Sequence, residues 1–363
     1  MGSSEMHSSF IKKQVKEITD SGSRLPEPLR NSHIHITGGT GFLGSWLLEF
    51  ISVLNDEHNF KIRTSVTCRT IDRFAKIRPH LYSRKDFFFN ETDVRNLSEL
   101  PKDITHIIHA AAFTNRNQFA TFPTHVLENN INSTIRILRL SQQLGSLENV
   151  LLISSGLVYG RQKLDISEIK EDSFGGFLSS FDSNSIYAES KRASESIASA
   201  FLSETKIPVS VARPFAFVGP YQSLDLPWAV TDFIRDSFQG GPVKIMGDGS
   251  TIRSIMYASD FANWILHMTA FAKPRSVYNV GSPYPVDLIS LATLISSHFK
   301  PEPQIITSAG NAPHNPDKLV PSIKKAEQEL GLKITVGLEE AISRSIEWHK
   351  LSGKSLATAT INQ

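Results

Sequence analysis

The chain holds a single cysteine, Cys68, in 363 residues, so no disulfide framework can form and no thiolate-rich metal site can be built. That usage fits a reducing compartment, and a cytoplasmic protein is the expectation. Long apolar runs are missing too: nothing approaches the ~18 consecutive apolar residues of a membrane span. The opening residues, MGSSEMHSSF, lack the basic head and apolar middle of a secretion signal. They also miss the myristoylation pattern, because Met6 stands where Ser or Thr is needed. Nor does one charge dominate. Lys and Arg total 38 against 36 for Asp and Glu, which argues against a general binder of nucleic acid or membrane surfaces. No internal repeat and no low-complexity tract interrupts the chain.

What is present is alternation. HIHIT, RTSVTC, DFFFN, HIIHAAA, NVLLISS and VSVAR read as strands, with helical patterns such as SWLLEFISVL and YAESKRASESIASAFLSE between them. Strand–helix alternation of this length predicts an α/β fold, a Rossmann-type doubly wound parallel sheet covered by helices on both faces. After Arg213 the regularity weakens and Pro and Gly become frequent, the look of a smaller α/β substrate lobe. The expected organisation is an N-terminal extension over 1–30, a dinucleotide-binding domain over 31–212 and a substrate lobe over 213–350, partly interleaved with that domain. A tail follows over 351–363. In the extension, FIKKQVKEI can form a short amphipathic helix before SGSRLPEPLR breaks it.

Strand, then Thr37-Gly38-Gly39-Thr40-Gly41-Phe42-Leu43-Gly44, then helix is the context in which a glycine loop binds a dinucleotide. Gly38 can supply the tight turn, Gly41 can let the backbone approach a pyrophosphate, and Gly44 permits close helix–strand contact. Phe42 and Leu43 stand at the helix N-terminus, whose free N–H groups and dipole favour phosphate. At the end of the second strand an acid would select NAD through the ribose 2′-hydroxyl. Here Thr67-Cys68-Arg69-Thr70 offers Arg69 instead, with Arg73 one turn on. A guanidinium suits a 2′-phosphate, so NADP(H) is favoured and NAD(H) is the alternative.

Tyr187-Ala188-Glu189-Ser190-Lys191 sets a phenol and an ammonium four residues apart on one helix face. The ammonium stabilises a phenolate, and lowering a phenol by about three pKa units takes about 4 kcal/mol. Ser155, at the C-terminal end of a strand, can hydrogen-bond the same substrate oxygen. The chemistry implied is hydride transfer at a carbinol or ketone carbon with proton transfer through the tyrosine.

With TGGTGFLG, SSGLVYG, YAESK and RPFAFVGP in that order, the chain resembles the extended short-chain dehydrogenase/reductase family, within it the nucleotide-sugar epimerases, dehydratases and 4-keto reductases. The resemblance implies that Asp93 and Val94 contact adenine and that Ala110, Ala111 and Ala112 line the nicotinamide side. It also implies that Asn129 lies near the cofactor, that Phe215 flanks the nicotinamide and that Arg253 contacts the diphosphate of a nucleoside-diphosphate sugar. For Arg253 a surface ion pair is the alternative. Similar dehydratases carry an Asp-Glu pair directly after the catalytic hydroxyl. Gly156 and Leu157 stand there and can move no proton, so 4,6-dehydration is not expected. Ala216 replaces an Asn that the family often uses near the substrate.

The leading expectation is therefore reduction of a 4-keto-6-deoxy nucleotide sugar, with an NAD-holding 4-epimerase as the rival and a non-catalytic nucleotide-binding scaffold as a third reading. A homodimer is possible through two helices next to the YAESK helix, as in similar enzymes. His33 and His35 read as strand-end histidines without metal partners, and His109 as structural. Lys61-Ile62-Arg63 is too short for a nucleic-acid site. FLSSFDSNSIY reads as an active-site loop.

Overall fold

The apolar runs HIHIT and NVLLI are buried along their whole length, as strands covered on both faces must be. In the computed structural model, which describes residues 3–22, 24–112, 121–173, 185–308 and 317–352, these runs sit inside a seven-stranded parallel sheet. Its members are β1 (His33–Thr37), β2 (Arg63–Cys68), β3 (Phe87–Glu91), β4 (His106–His109), β5 (Asn149–Ile153), β6 (Val209–Pro214) and β11 (Val277–Val280). They lie in the order β11-β6-β5-β4-β1-β2-β3. The order reverses between β1 and β4, and the crevice at that switch point, beyond the strand C-termini, is where such sheets bind ligands.

One face of the sheet carries α2 (Phe42–His58) and α8 (Ala258–Phe271), whose Trp46, Phe50, Phe261 and Trp264 are fully or almost fully buried in one apolar cluster. The other face carries α5 (Pro123–Ser141) and α6 (Ile186–Thr205), which pack on each other. Between β6 and β11 the chain leaves the sheet to build a second core around Val218, Phe233, Ile245, Tyr257 and Leu291. It includes β7 (Ala216–Val218), paired in parallel with β10 (Ile255–Tyr257). Beside them β9 (Ile252–Arg253) pairs with β14 (Lys318–Leu319). The run VYNV of β11 returns to the main sheet beside β6, which the sequence pattern did not reveal. Among the described residues no helix is long and apolar enough to cross a membrane.

The segment read as an N-terminal appendage is docked. Its helix α1 (Ser3–Thr19) buries Ile11, Val15 and Ile18 in the same cluster as α2 and α8. Gln14 accepts a hydrogen bond from the Tyr257 hydroxyl at 2.5 Å, and Glu17 pairs with Arg344 at 2.8 Å. The period FxxxxVxxI gave the helix; Tyr257 and Arg344 lie over 200 residues away and left no local trace. Each buried aliphatic side chain contributes about 1.5–3 kcal/mol. Deleting residues 1–20 is accordingly expected to lower the thermal midpoint by about 10 °C or more, measured by scanning calorimetry against the full chain.

Candidate active site

The glycine loop closes over the C-terminal end of β1. Gly38 has φ of +71°, and a Cβ there would lie 2.9 Å from the Ala111 Cα, so its left-handed turn and its contact both call for glycine. At Gly44 a Cβ would lie 2.3 Å from the Gly39 Cα, so α2 starts directly against the loop. The Ser45 amide is bonded to the Gly41 carbonyl at 2.9 Å; the N–H groups before it have no acceptor within the helix. Gly41 is exposed at the mouth, while the Phe42 ring stacks on Phe217 at 5.1 Å and leaves its backbone to the loop. Leu43 packs partly buried on the core. These residues fit a dinucleotide pyrophosphate: the loop is cleared of side chains where backbone amides and a helix dipole converge.

Opposite the loop, the Thr37 hydroxyl meets His109 Nδ1 at 2.8 Å and accepts the Ala111 N–H at 3.1 Å, which fixes the path of Ala110-Ala111-Ala112 beside Gly38. Burial holds His109 neutral, its pKa pulled down to about 3. Its Nε2 lies 3.4 Å from the Thr134 hydroxyl, so it is a structural strut. His33 is engaged by Asp103 at 3.0 Å and Ser65 at 2.5 Å, and His35 by Thr67 at 3.2 Å. Among the described residues no cluster of three metal-ligating side chains occurs.

Arg69 follows the last residue of β2 and is exposed. Its charge helps to hold the Asp93 carboxyl below the usual range, although the larger cause is Arg95, which grips Asp93 with two bonds of 2.9 Å. Val94 is buried beneath this corner. Arg69, Asp93 and Val94 thus share the end of the sheet expected to meet the adenosine.

Ser155 follows β5 and caps a short 3-10 turn, Gly156–Tyr159, its hydroxyl accepting the Leu157 N–H at 3.2 Å. A side chain at Gly156 would have to displace the Phe215 ring, since a Cβ would lie 2.8 Å from it. Phe215 is buried with Val158, Tyr159, Ile169 and Leu319, and Leu157 is partly exposed beside Ser155. Tyr187 and Lys191 lie on one face of α6, both over nine-tenths buried. The phenol hydrogen-bonds Ser155, and burial drives its pKa well above the ordinary value. Burial also lowers Lys191 to about 8, against the Glu195 carboxylate, which raises it. The Lys191 ammonium donates to the Ile153 carbonyl at 2.8 Å and sits 6.0 Å from the Tyr187 ring centre. Strand end and helix face therefore bring Ser155, Tyr187 and Lys191 together.

Asn129 and Arg253 each have a protein partner in the structure. Asn129 turns its amide back to the His125 carbonyl of its own helix, at 2.5 Å, on a half-buried face. Its neighbour Asn130 is the buried one, donating to the Ser190 hydroxyl of α6 at 2.8 Å. The signal for Asn130 was the i, i+4 match of Asn130 and Thr134 with Ser190 and Ser194 across two helices. Arg253 pairs with the Asp317 carboxylate and donates to the Asp317 carbonyl at 3.1 Å. The expected loop FLSSFDSNSIY lies outside the described residues except for its last three, Ser185, Ile186 and Tyr187.

A glycine loop at the switch point of a parallel sheet, facing a Ser-Tyr-Lys cluster, defines a dinucleotide-dependent enzyme of the extended short-chain dehydrogenase/reductase type. Residues 34–281 match the profile of the NAD dependent epimerase/dehydratase family, and the chain belongs to that family. Among curated proteins it is similar to UDP-glucuronic acid decarboxylase 1 of Xenopus tropicalis, 26% identical over 327 residues, which cover 87% of this chain and 72% of that one. UDP-glucuronic acid decarboxylase 6 of Arabidopsis thaliana is 26% identical over 325 residues, 88% of this chain and 91% of that one. Among solved structures, the UDP-glucuronic acid 4-epimerase of Bacillus cereus in complex with UDP-glucuronic acid and NAD superposes with a TM-score of 0.74. It is 22% identical, with 88% of this chain and 99% of that chain covered. That likeness carries the fold.

Proposed function

We propose that this enzyme reduces a 4-keto-6-deoxy nucleoside-diphosphate hexose at C4, with NADPH as the reductant. The observation that carries the reading is the convergence of Ser155, Tyr187 and Lys191 beside the dinucleotide loop, with Gly156 and Leu157 next in line. In similar dehydratases an Asp-Glu pair at those two positions protonates the C6 hydroxyl and takes the C5 proton. A side chain at Gly156 would have to displace the buried Phe215 ring, and Leu157 presents only methyl groups.

A reduced dinucleotide held by this loop would supply a hydride for the carbonyl carbon. Tyr187, held protonated by burial, donates its proton to the carbonyl oxygen, so the ketone gains one hydride and one proton and becomes a secondary alcohol. Ser155 orients that oxygen by a hydrogen bond, and the Lys191 ammonium steadies the phenolate left behind. In this reading the backbone of Gly38, Gly41, Phe42, Leu43 and Gly44 holds the pyrophosphate and Arg69 the 2′-phosphate. Asp93 and Val94 flank the adenine, and Ala110 to Ala112 with Phe215 flank the nicotinamide. Arg253 takes the substrate diphosphate, which outcompetes the single charge of Asp317 for the guanidinium fork.

A second reading is a 4-epimerase that keeps NAD bound. It is supported by the family's NAD dependence and by the NAD complex of a 4-epimerase with the same fold. The two part on net cofactor use. With 4-keto-6-deoxyhexoses carried on UDP, dTDP, CDP and GDP, reduction consumes NADPH absorbance stoichiometrically with product. Redox-neutral conversion of a UDP-sugar or of UDP-glucuronic acid, with no net NADPH loss, would overturn it. Arg69→Asp should lower kcat/KM for NADPH by about tenfold or more and spare NADH, because the substitution replaces attraction for a 2′-phosphate by repulsion.

A further inference from the structure

We propose that Glu195 and Arg213 form a positioning unit that holds Ser155 and Lys191 in register; this rests on the reading of Ser155, Tyr187 and Lys191 given above. Glu195 lies one helical turn beyond Lys191 on α6, and Arg213 lies near the end of β6. Their side chains are only 14% exposed each, and they meet in a two-pronged pair, Nε to Oε1 at 3.0 Å and the terminal nitrogen to Oε2 at 2.6 Å.

Two of the pair's other bonds lead to the catalytic group. The hydroxyl of Ser154, the residue before Ser155, donates to Glu195. Arg213 donates to the Tyr159 hydroxyl at 2.8 Å, at the far end of the turn that Ser155 caps, and to the Glu171 carbonyl at 3.0 Å. Tyr159 in turn donates to Asn279 of β11 at 2.7 Å. Two residues beyond Arg213, Phe215 lays its ring against Gly156. One ion pair thus ties helix α6 to the strand end and turn that carry Ser155.

Stability alone is a poor reason for such a pair, since apolar replacements of a buried ion pair are often at least as stable. Geometry is the better one, because a small displacement of reacting groups is costly in rate. The charge also reaches Lys191. The groups that face the ammonium are Glu195, Tyr187 and His109, with Arg213 behind Glu195. His109 is neutral and Tyr187 protonated, so the Glu195 carboxylate is the charge that favours the ammonium. Its removal lowers the pH at which Lys191 loses its proton.

Three variants test the proposal: Glu195→Met/Arg213→Met, which swaps the pair for apolar groups, Ser154→Ala, which cuts one link with little risk to folding, and Tyr187→Phe. Each is assayed for kcat, KM, the pH profile and dinucleotide binding. The double variant is expected to lose about 10²-fold in kcat with KM changed less than about threefold. The alkaline limb of its profile should move to lower pH. Ser154→Ala is expected to lose several-fold in kcat with the limb unmoved, because Glu195 keeps its charge. Wild-type kcat in Ser154→Ala, or in a folded double variant with an unmoved limb, overturns the proposal; should the double variant fail to fold, Ser154→Ala decides. Full activity in Tyr187→Phe would instead refute the reading of the catalytic group itself.

Discussion

Replacing Tyr187 by Phe is expected to lower kcat by about 10³-fold while leaving dinucleotide binding unchanged. The substitution removes one oxygen from a buried ring packed on Val126, so the fold has little reason to respond. Chemically, that oxygen carries the transferred proton in the proposed reaction. Its position is fixed from two sides, by the hydrogen bond to Ser155 and by the helix that also bears Lys191. Burial raises the phenol and lowers the lysine, so at neutral pH the pair is a neutral acid beside an ammonium. That protonation state is ready to donate, which suits the reductive direction. The check is turnover of the sugar beside a titration of reduced cofactor by fluorescence. Unchanged turnover with unchanged binding would remove Tyr187 from the chemistry.

Gly44→Ala should do the opposite, weakening cofactor binding and costing about 3 kcal/mol of stability. A methyl at this position falls 2.3–2.4 Å from three backbone atoms of Gly39, and backbone atoms cannot rotate away as a side-chain tip can. Either α2 slides from the loop or the loop lifts from the end of β1. Both movements carry the helix N-terminus away from where a pyrophosphate would sit. The variant should melt earlier than wild type and bind NADPH at least about 10²-fold more weakly, read by calorimetry and by fluorescence titration. A variant with wild-type affinity would mean that the close contact of Gly39 and Gly44 is not what shapes the phosphate site.

The features legible in the sequence are those whose cause is local. HIHIT and NVLLI announce strands because both faces are apolar or buried. The spacing of Gly38, Gly41 and Gly44 announces the loop because strand, turn and helix follow one another directly. Tyr187 and Lys191 share a face by helix geometry alone. What escaped the sequence depends on distant partners. Arg213 and Glu195 are 18 residues apart on a strand and a helix, and Arg253 meets Asp317 from 64 residues away. VYNV joins the main sheet only after the chain has built the second core. Asn129 and Asn130 differ by one residue, about 100° around the helix, and only the position of α6 decides which is buried. The docking of α1 likewise needed Tyr257 and Arg344 to be in place.

The central claim is hydride delivery to C4 of a nucleotide sugar, and it can be followed by label. NADPH deuterated at the transferring C4 position of its nicotinamide would be incubated with the enzyme and the 4-keto-6-deoxy nucleotide sugar that it turns over. The product is then read by mass spectrometry and proton NMR. The account predicts one deuterium per product molecule, located at C4 of the sugar, with an equal amount of cofactor oxidised. Product without deuterium at C4, or solvent hydrogen at C5 in its place, would contradict it.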